Sequence, residues 1–473
     1  MLKNASKSLT HYVRMYRWQT WHGLVLLVLC FSFLFGVRQF VNRQVTGDEP
    51  HYLLMTQSLL RDRDLNLYNN FQQKDYLPYY PFGLSPKGQV KDSQLAPDST
   101  KWYSIHSVGI PYLLAPAFGL AGMQGAIFMM VIFATMVIWL TYLWVLEITR
   151  HRRAAIATSF ILATSYFFST LAGYFYPDML MPLLTLGALL ILHKKPTEPR
   201  YQILFGFLLG LLLLIHFKSL ILVAPLSVAM LYKIWKLKHR LPWFVLPGIV
   251  PFLVYFVWST YAWFGILNPA GIYQDLNIVG TISPPGIFTA LLLDSRRGLF
   301  VYNPIFVLLI VGLSLWYRQA RESLFITIMV MAPYLIVLCT FWGWFGGDAP
   351  AGRYVMDVLP LFMPALGFAL LVAKDNWQKG IVGVLLGLTL LMTVLQTSLK
   401  TGYITYLTND RTQVFVWIGE RTGIAFDRLF PTFSISAHAV YPGTWAKAGI
   451  WVLLCVVLFM YGLSIARPQR RKR

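Results

Sequence analysis

The 473 residues are 57% hydrophobic and only 12% charged, with a mean hydropathy of +0.57, so the chain has too little polar surface to cover a soluble globule. Its formal charge of +21 would suit a nucleic-acid binder only if the bases clustered on one folded face, and they are instead scattered at the ends of apolar runs. Cys30, Cys339 and Cys455 lie in or beside apolar segments, which excludes a disulfide framework.

These properties predict an all-α polytopic membrane protein with about twelve transmembrane helices, each near the length needed to cross the hydrocarbon core. The first expected span, 20–40, follows a basic tail without a small-residue cleavage pattern and reads as a retained anchor, not a signal peptide. A long loop, 41–122, comes next and opens with "TGDEPHYLL", which sets Asp48 and Glu49 side by side just beyond the apolar run. The following "EPHYLLMTQSLLR" reads as a short amphipathic helix, with Tyr52, Met55, Leu59 and Leu60 on one side, suited to lying in the membrane interface. Thr46 or Asp48 can serve simply as its N-cap, which is the plainest use for such residues. His51 and His106 fall in the same loop and are candidates for a polar pocket. Asp48, Glu49 and His51 offer donor atoms to a divalent cation, but no His pair has helical ligand spacing and no Cys is at hand, so neither a metal site nor a cofactor is assigned. The stretch "GIPYLLAPAFGLAG", 109–122, is apolar but short and carries two prolines; it is expected to be interfacial or re-entrant.

Spans are then expected at 123–147, 154–172, 178–193, 201–216, 220–236 and 243–263. Asp178 in "YPDML" and Lys218 in "HFKSL" sit at tight turns on the same face as Asp48. A charge at the rim of an apolar segment is costly unless it snorkels or faces a polar cavity, and Lys218 is long enough to snorkel whereas Asp178 is not. After a second outer loop, 264–298, ending in "DSRRG" with Arg296 and Arg297, come spans 299–316 and 323–341. A third outer loop, 342–355, is the glycine-rich "WGWFGGDAPAGRY" with Asp348, Arg353 and Tyr354; spans 356–373 and 380–397, a fourth outer loop, 398–446, and a last span, 447–466, complete the chain. Arginine suits a phosphate because its planar fork donates paired hydrogen bonds, although "SRRG" is equally at home as a solvated pair or a lipid headgroup contact. The short connections on the opposite face hold most of the Lys and Arg but only Glu147, Glu198, Glu322 and Asp375 among the acids, which makes that face cytoplasmic and both termini with it. The long loops, and with them the function, then face the exterior or periplasm.

An outer Asp-Glu pair after the first span, an interfacial helix behind it, a proline-bearing apolar stretch before the second span, the acid of "YPDML" and a late "GRY" together resemble the glycosyltransferase-C superfamily, in particular its protein O-mannosyltransferase-like and lipid A aminoarabinose-transferase-like branches. The resemblance implies a single membrane-embedded domain over 1–473 with interfacial helices in the loop 41–122, and a polyprenyl-phosphate sugar as donor. It implies further that Asp48 is the base, Glu49 its companion and Asp178 the second-loop acid. Lys218, Arg296, Arg297, Arg353 and Tyr354 are candidates for the donor phosphate on sign and depth alone. The chain ends soon after its last expected span, without the large soluble C-terminal domain of many relatives, so acceptor recognition is expected from the outer loops. The acceptor itself, whether glycan, lipid or protein, is left open. Two competing readings are a twelve-span transporter or flippase of lipid-linked sugar, and a ligase moving a whole glycan from a diphosphate lipid. A transporter places ionisable groups near the bilayer midplane, whereas here they gather at one rim.

Overall fold

The computed structural model describes residues 23, 25–41, 45–84, 101–265, 267, 282–341, 343–347, 349–399, 412–433 and 443–465. Asp348, the basic tails and parts of the second and fourth outer loops lie outside the described residues. The described chain is helical almost throughout. Seven helices are long and apolar enough to cross a membrane: Gly109–Thr149 (α3), Pro177–Lys194 (α5), Phe217–Lys236 (α7), Trp243–Phe264 (α8), Arg321–Thr340 (α11), Asn376–Ser398 (α13) and Thr444–Ile465 (α14). Shorter apolar helices run over Val25–Val41 (α1), Pro199–Ile215 (α6), Pro284–Leu293 (α9), Pro304–Gln319 (α10) and Leu359–Val372 (α12), while Glu49–Arg61 (α2) and Arg152–Thr164 (α4) complete the elements used below.

Every predicted span overlaps a helix, although the one over 154–172, Arg152–Thr164, is not among the apolar ones, and two are interrupted. The segment 154–172 breaks at Ser165, whose backbone is extended (φ −68°, ψ 144°), and the segment 299–316 breaks at Asn303, ahead of Pro304. The two breaks meet: Asn303 Oδ1 accepts from the backbone N–H of Tyr166 at 2.8 Å, satisfying a donor that the interrupted helix leaves without an intrahelical partner. Within α3 the helix is disrupted at Ala121 and Gly122, the latter at φ +55°. The proline-bearing stretch is therefore a separate helical arm, as its boundary at residue 122 predicts. The chain doubles back so sharply there that a Cβ on Gly125 would lie 1.9 Å from the carbonyl oxygen of Ala117.

The bundle is built on close helix contacts. A Cβ on Gly206 would lie 2.0 Å from the carbonyl of Val245, and one on Gly312 would lie 1.8 Å from that of Ala365, so α6 against α8 and α10 against α12 approach backbone to backbone, as small residues permit in apolar surroundings. Helix α5 is buried nearly all round, whereas α8 and α14 turn residues such as Val254, Trp258, Ile450 and Leu453 outward. An apolar outer face of that kind is what lipid covers. Helix α2 packs on α3 and differs from its amphipathic pattern: Glu49 through Ser58 are all buried, and only its last turn reaches the surface. Its polar residues are sheltered by tertiary contacts, Glu49 with the Phe175 N–H, His51 with the His106 ring and Ser58 with Asp64, which periodicity does not carry.

Candidate active site

The turn before α2 is set by Gly47 in the left-handed region (φ +57°), held from above by Tyr176, whose hydroxyl donates to the Thr46 carbonyl at 3.0 Å. Glu49 is wholly buried and accepts two backbone N–H bonds, from Thr46 through Oε2 and from Phe175 through Oε1, each at 3.0 Å. It therefore closes the helix start and ties the first loop to the connection preceding Asp178. Asp48 occupies the N-cap position but makes no side-chain capping bond. Its carboxylate points elsewhere, and its side chain retains 32% of its exposure.

It points to Arg353. The third outer loop reaches that residue through Gly346, Gly347 and Gly352, all at positive φ; at Gly352 (φ +84°) a Cβ would lie 2.0 Å from the Phe167 ring, so only glycine admits the approach. Arg353 Nη2 donates to Asp48 Oδ2 at 2.8 Å, Nε to Asp178 Oδ2 at 3.1 Å and Nη1 to the Gly346 carbonyl at 3.4 Å, while its Cζ lies 4.0 Å from the centre of the Tyr176 ring. The other oxygen of Asp178 accepts from Lys218 Nζ at 2.9 Å, and the same ammonium donates to Asp357 Oδ2 at 2.7 Å. The Tyr334 hydroxyl donates to that Asp357 oxygen as well, and the Tyr354 ring lies 4.6 Å below Lys218 Nζ. Acids and bases thus alternate, Asp48–Arg353–Asp178–Lys218–Asp357, along a chain that four connections of the bundle supply. Among its acids, exposure falls from Asp48 to Asp178 at 1% and Asp357 at 0%.

Burial raises the pKa of Asp48, but Arg353 opposite outweighs it, and the carboxyl is held well below the usual carboxylate range. Around this end lie three imidazoles. His51 and His106 stack with ring centres 5.2 Å apart, and Tyr52 lies 5.3 Å from His106. Burial, with His106 beside it, pushes His51 down to about 3, and burial lowers His106 also. His216 Nδ1 accepts from the Lys218 N–H at 3.0 Å, as a neutral ring can. Among the described residues no three His, Cys, Asp or Glu side chains converge as metal ligands would. A narrow cleft lined by Ser104, His106, Ser107, Phe217, Thr260 and Trp263 flanks this end of the network.

Of the residues singled out from the sequence, Asp48, Asp178, Lys218, Arg353 and Tyr354 come together, with His51 and His106 alongside. Glu49 adjoins them but faces backbone. Arg296 and Arg297 are not links in the alternating chain of charges. Arg296 donates through Nη2 to the Phe433 carbonyl, and its neighbour Asp294 accepts the backbone N–H groups of Arg296 at 2.9 Å and Phe433 at 2.8 Å, so this corner fastens residues 431–433 to the start of the 299–319 segment. Arg297 lies over the Phe345 ring at 4.8 Å, beside the Gly346 whose carbonyl Arg353 uses. Sequence reading missed Asp357 and Tyr334. Asp357 was open to the argument that selected Asp178, an acid at the mouth of an apolar segment, whereas a lone Tyr334 inside a span gives no signal.

The sequence matches no protein-family model and no curated protein. Among solved structures the chain is similar to ArnT from Cupriavidus metallidurans bound to undecaprenyl phosphate, with a TM-score of 0.50 and 12% identity over 94% of this chain and 75% of ArnT. The apo state of the same protein aligns at a TM-score of 0.46 and 13% identity, over 95% of this chain and 76% of that one. The archaeal oligosaccharyltransferase AglB from Archaeoglobus fulgidus, in complex with an inhibitory peptide and a dolichol-phosphate, aligns at 0.46 and 12% identity, over 91% and 64%. ArnT and AglB are glycosyltransferases of the glycosyltransferase-C type. What this chain shares with ArnT is the path of the backbone through the membrane-spanning body, and by that measure it has the glycosyltransferase-C fold.

Proposed function

We propose that this protein is an inverting glycosyltransferase that moves a sugar from a polyprenyl-phosphate donor to an acceptor hydroxyl, on the outer face of a prokaryotic cytoplasmic membrane that it crosses twelve times, with its N- and C-termini in the cytoplasm. The helical arm 109–120 and α2 would lie along the outer surface. A donor with a long lipid tail stays in the bilayer, so its sugar phosphate meets the protein at the rim where the charges gather. The observation that carries the reading is the Asp48–Arg353 pair, in which the most accessible carboxylate of the network lies 2.8 Å from a cation at the junction of the outer loops, in a chain with the fold of a lipid-phosphate-bound neighbour.

In the reaction the acceptor oxygen forms a bond to the anomeric carbon while the bond from that carbon to the phosphate oxygen breaks, and the electron pair leaves with the lipid phosphate. The acceptor's proton passes to the Asp48 carboxylate. Arg353, already oriented by Asp178 and the Tyr176 ring, stabilises the negative charge that grows on the departing phosphate. Because attack and departure occur on opposite faces of the sugar, the configuration inverts. Glu49 holds the Asp48 turn in place. Lys218, closed in by two carboxylates and the Tyr354 ring, fixes Asp178 and through it Arg353.

The test is sugar transfer from a polyprenyl-phosphate donor by purified protein carrying Asp48→Asn. Loss of the base should lower turnover by about 10²–10⁴-fold with the fold intact by size-exclusion chromatography, and an Asn variant with full activity would refute the assignment.

A further inference from the structure

Arg353 has one half that is fixed and one half that is open. Its Nε is bonded to Asp178, which is 1% exposed, its plane rests 4.0 Å from the Tyr176 ring, and Nη1 leans on the Gly346 carbonyl. Among the described residues its remaining nitrogen, Nη2, is bonded only to Asp48, whose side chain is the most accessible of the charged groups in the network. An anion arriving from the surface therefore meets the Asp48 end of the guanidinium first. The guanidinium need not move to receive it, since the buried contacts hold it in place.

We propose, on the basis of the function above, that the donor phosphate displaces Asp48 from Arg353, so that the carboxylate which masks the phosphate site in the empty protein is released beside the acceptor only when donor is bound. The exchange replaces one anion on the guanidinium by another, so the buried cation is never left bare. Phosphate offers the same paired acceptor geometry as carboxylate and carries at least as much charge. Once displaced, Asp48 has lost its counter-ion and lies next to a second anion. Both changes make it a better proton acceptor than it is in the empty site. Of the histidines facing it, His216 gives it no competing cation, because its Nδ1 accepts from the Lys218 N–H as only a neutral ring can, and burial disfavours the charged form of His106. Lys218 is committed to Asp178 and Asp357 and does not take over the pairing.

A binding cycle tests this without measuring transfer. Undecaprenyl phosphate is titrated into the purified wild-type protein and into Asp48→Asn, Arg353→Gln and the double variant, with affinity read by tryptophan fluorescence and folding checked by size-exclusion chromatography. The expected result is that Asp48→Asn binds the lipid phosphate about tenfold more tightly, the change associated with about 1.4 kcal/mol, that Arg353→Gln binds it at least about tenfold more weakly, and that Asp48→Asn brings no gain when Arg353 is already Gln. An unchanged or weakened affinity in Asp48→Asn would overturn the exchange. So would the same gain in both backgrounds, since that is ordinary repulsion of phosphate by Asp48 without any role for Arg353. Wild-type protein that binds the lipid phosphate without showing the coupling defeats the exchange alone. Folded wild-type protein that does not bind it at all defeats the donor assignment as well.

Discussion

Glu49 separates a structural carboxylate from a reacting one, and substitution by Gln makes the distinction measurable. The two acceptor oxygens of Glu49 each receive a backbone N–H at 3.0 Å, from segments far apart in sequence, with no exposure to solvent. Gln keeps the size and one acceptor but presents an amide N–H₂ to the other backbone N–H. One charge-assisted bond is lost, worth about 1.5–3 kcal/mol, and one buried donor is left facing another, at about 1–3 kcal/mol, so the variant should lose roughly 3–5 kcal/mol in total. For a chain of this size that corresponds to a fall of about 3–5 °C in apparent melting temperature, read by fluorescence-detected size exclusion after heating. The fraction that remains folded should transfer sugar within about tenfold of wild type, in contrast to the loss of about 10²–10⁴-fold expected for Asp48→Asn. A Glu49→Gln protein that melts like wild type yet loses transfer to the extent that Asp48→Asn does would show that Glu49 acts on the reactants, and the geometric reasoning would fail.

Two further outcomes are expected. The unfolded chain takes up a proton on His51 near pH 6.5, whereas the folded protein refuses it until about 3; the unfolded state therefore binds more protons in between, and stability must fall as pH drops below about 6.5, by up to about 1.4 kcal/mol per pH unit for this group. His51→Gln should flatten the decline in melting temperature between about pH 6.5 and pH 5, and an unaltered slope would count against a buried neutral ring. Arg296→Ala should loosen the attachment of residues 431–433 and expose the 412–433 segment to limited proteolysis, while undecaprenyl phosphate affinity stays within about twofold; a loss of affinity like that of Arg353→Gln would return Arg296 to the phosphate site.

The apolar runs made the helices legible because burial in a bundle and contact with lipid ask for the same residues, and helical length is then the only remaining variable. The interruptions at Ser165 and Asn303 were not legible, since each depends on the other across the fold. Asp48, Asp178, Lys218 and Arg353 could be selected singly, because a charge at the rim of a span stands out against its surroundings. Their pairing could not, and neither could the fate of Arg296, because a side chain that meets a carboxylate and one that meets a backbone carbonyl carry the same letter. The pattern of α2 misled for a related reason. Its polar face is buried along with its apolar one, so the pattern described the helix but not what packs against it.

The alternating chain of charges has a bearing on how the protein reaches its final arrangement. Asp48, Asp178, Lys218 and the Arg353–Asp357 turn arrive on four separate connections, and each is the counter-charge of a neighbour. A helical pair threaded the wrong way round would carry its member to the far side and strand the partner as a lone ion in apolar surroundings, at about 3–5 kcal/mol for each broken pair. The cluster would then serve as a proofreading device for insertion, penalising misoriented hairpins before any sugar is bound.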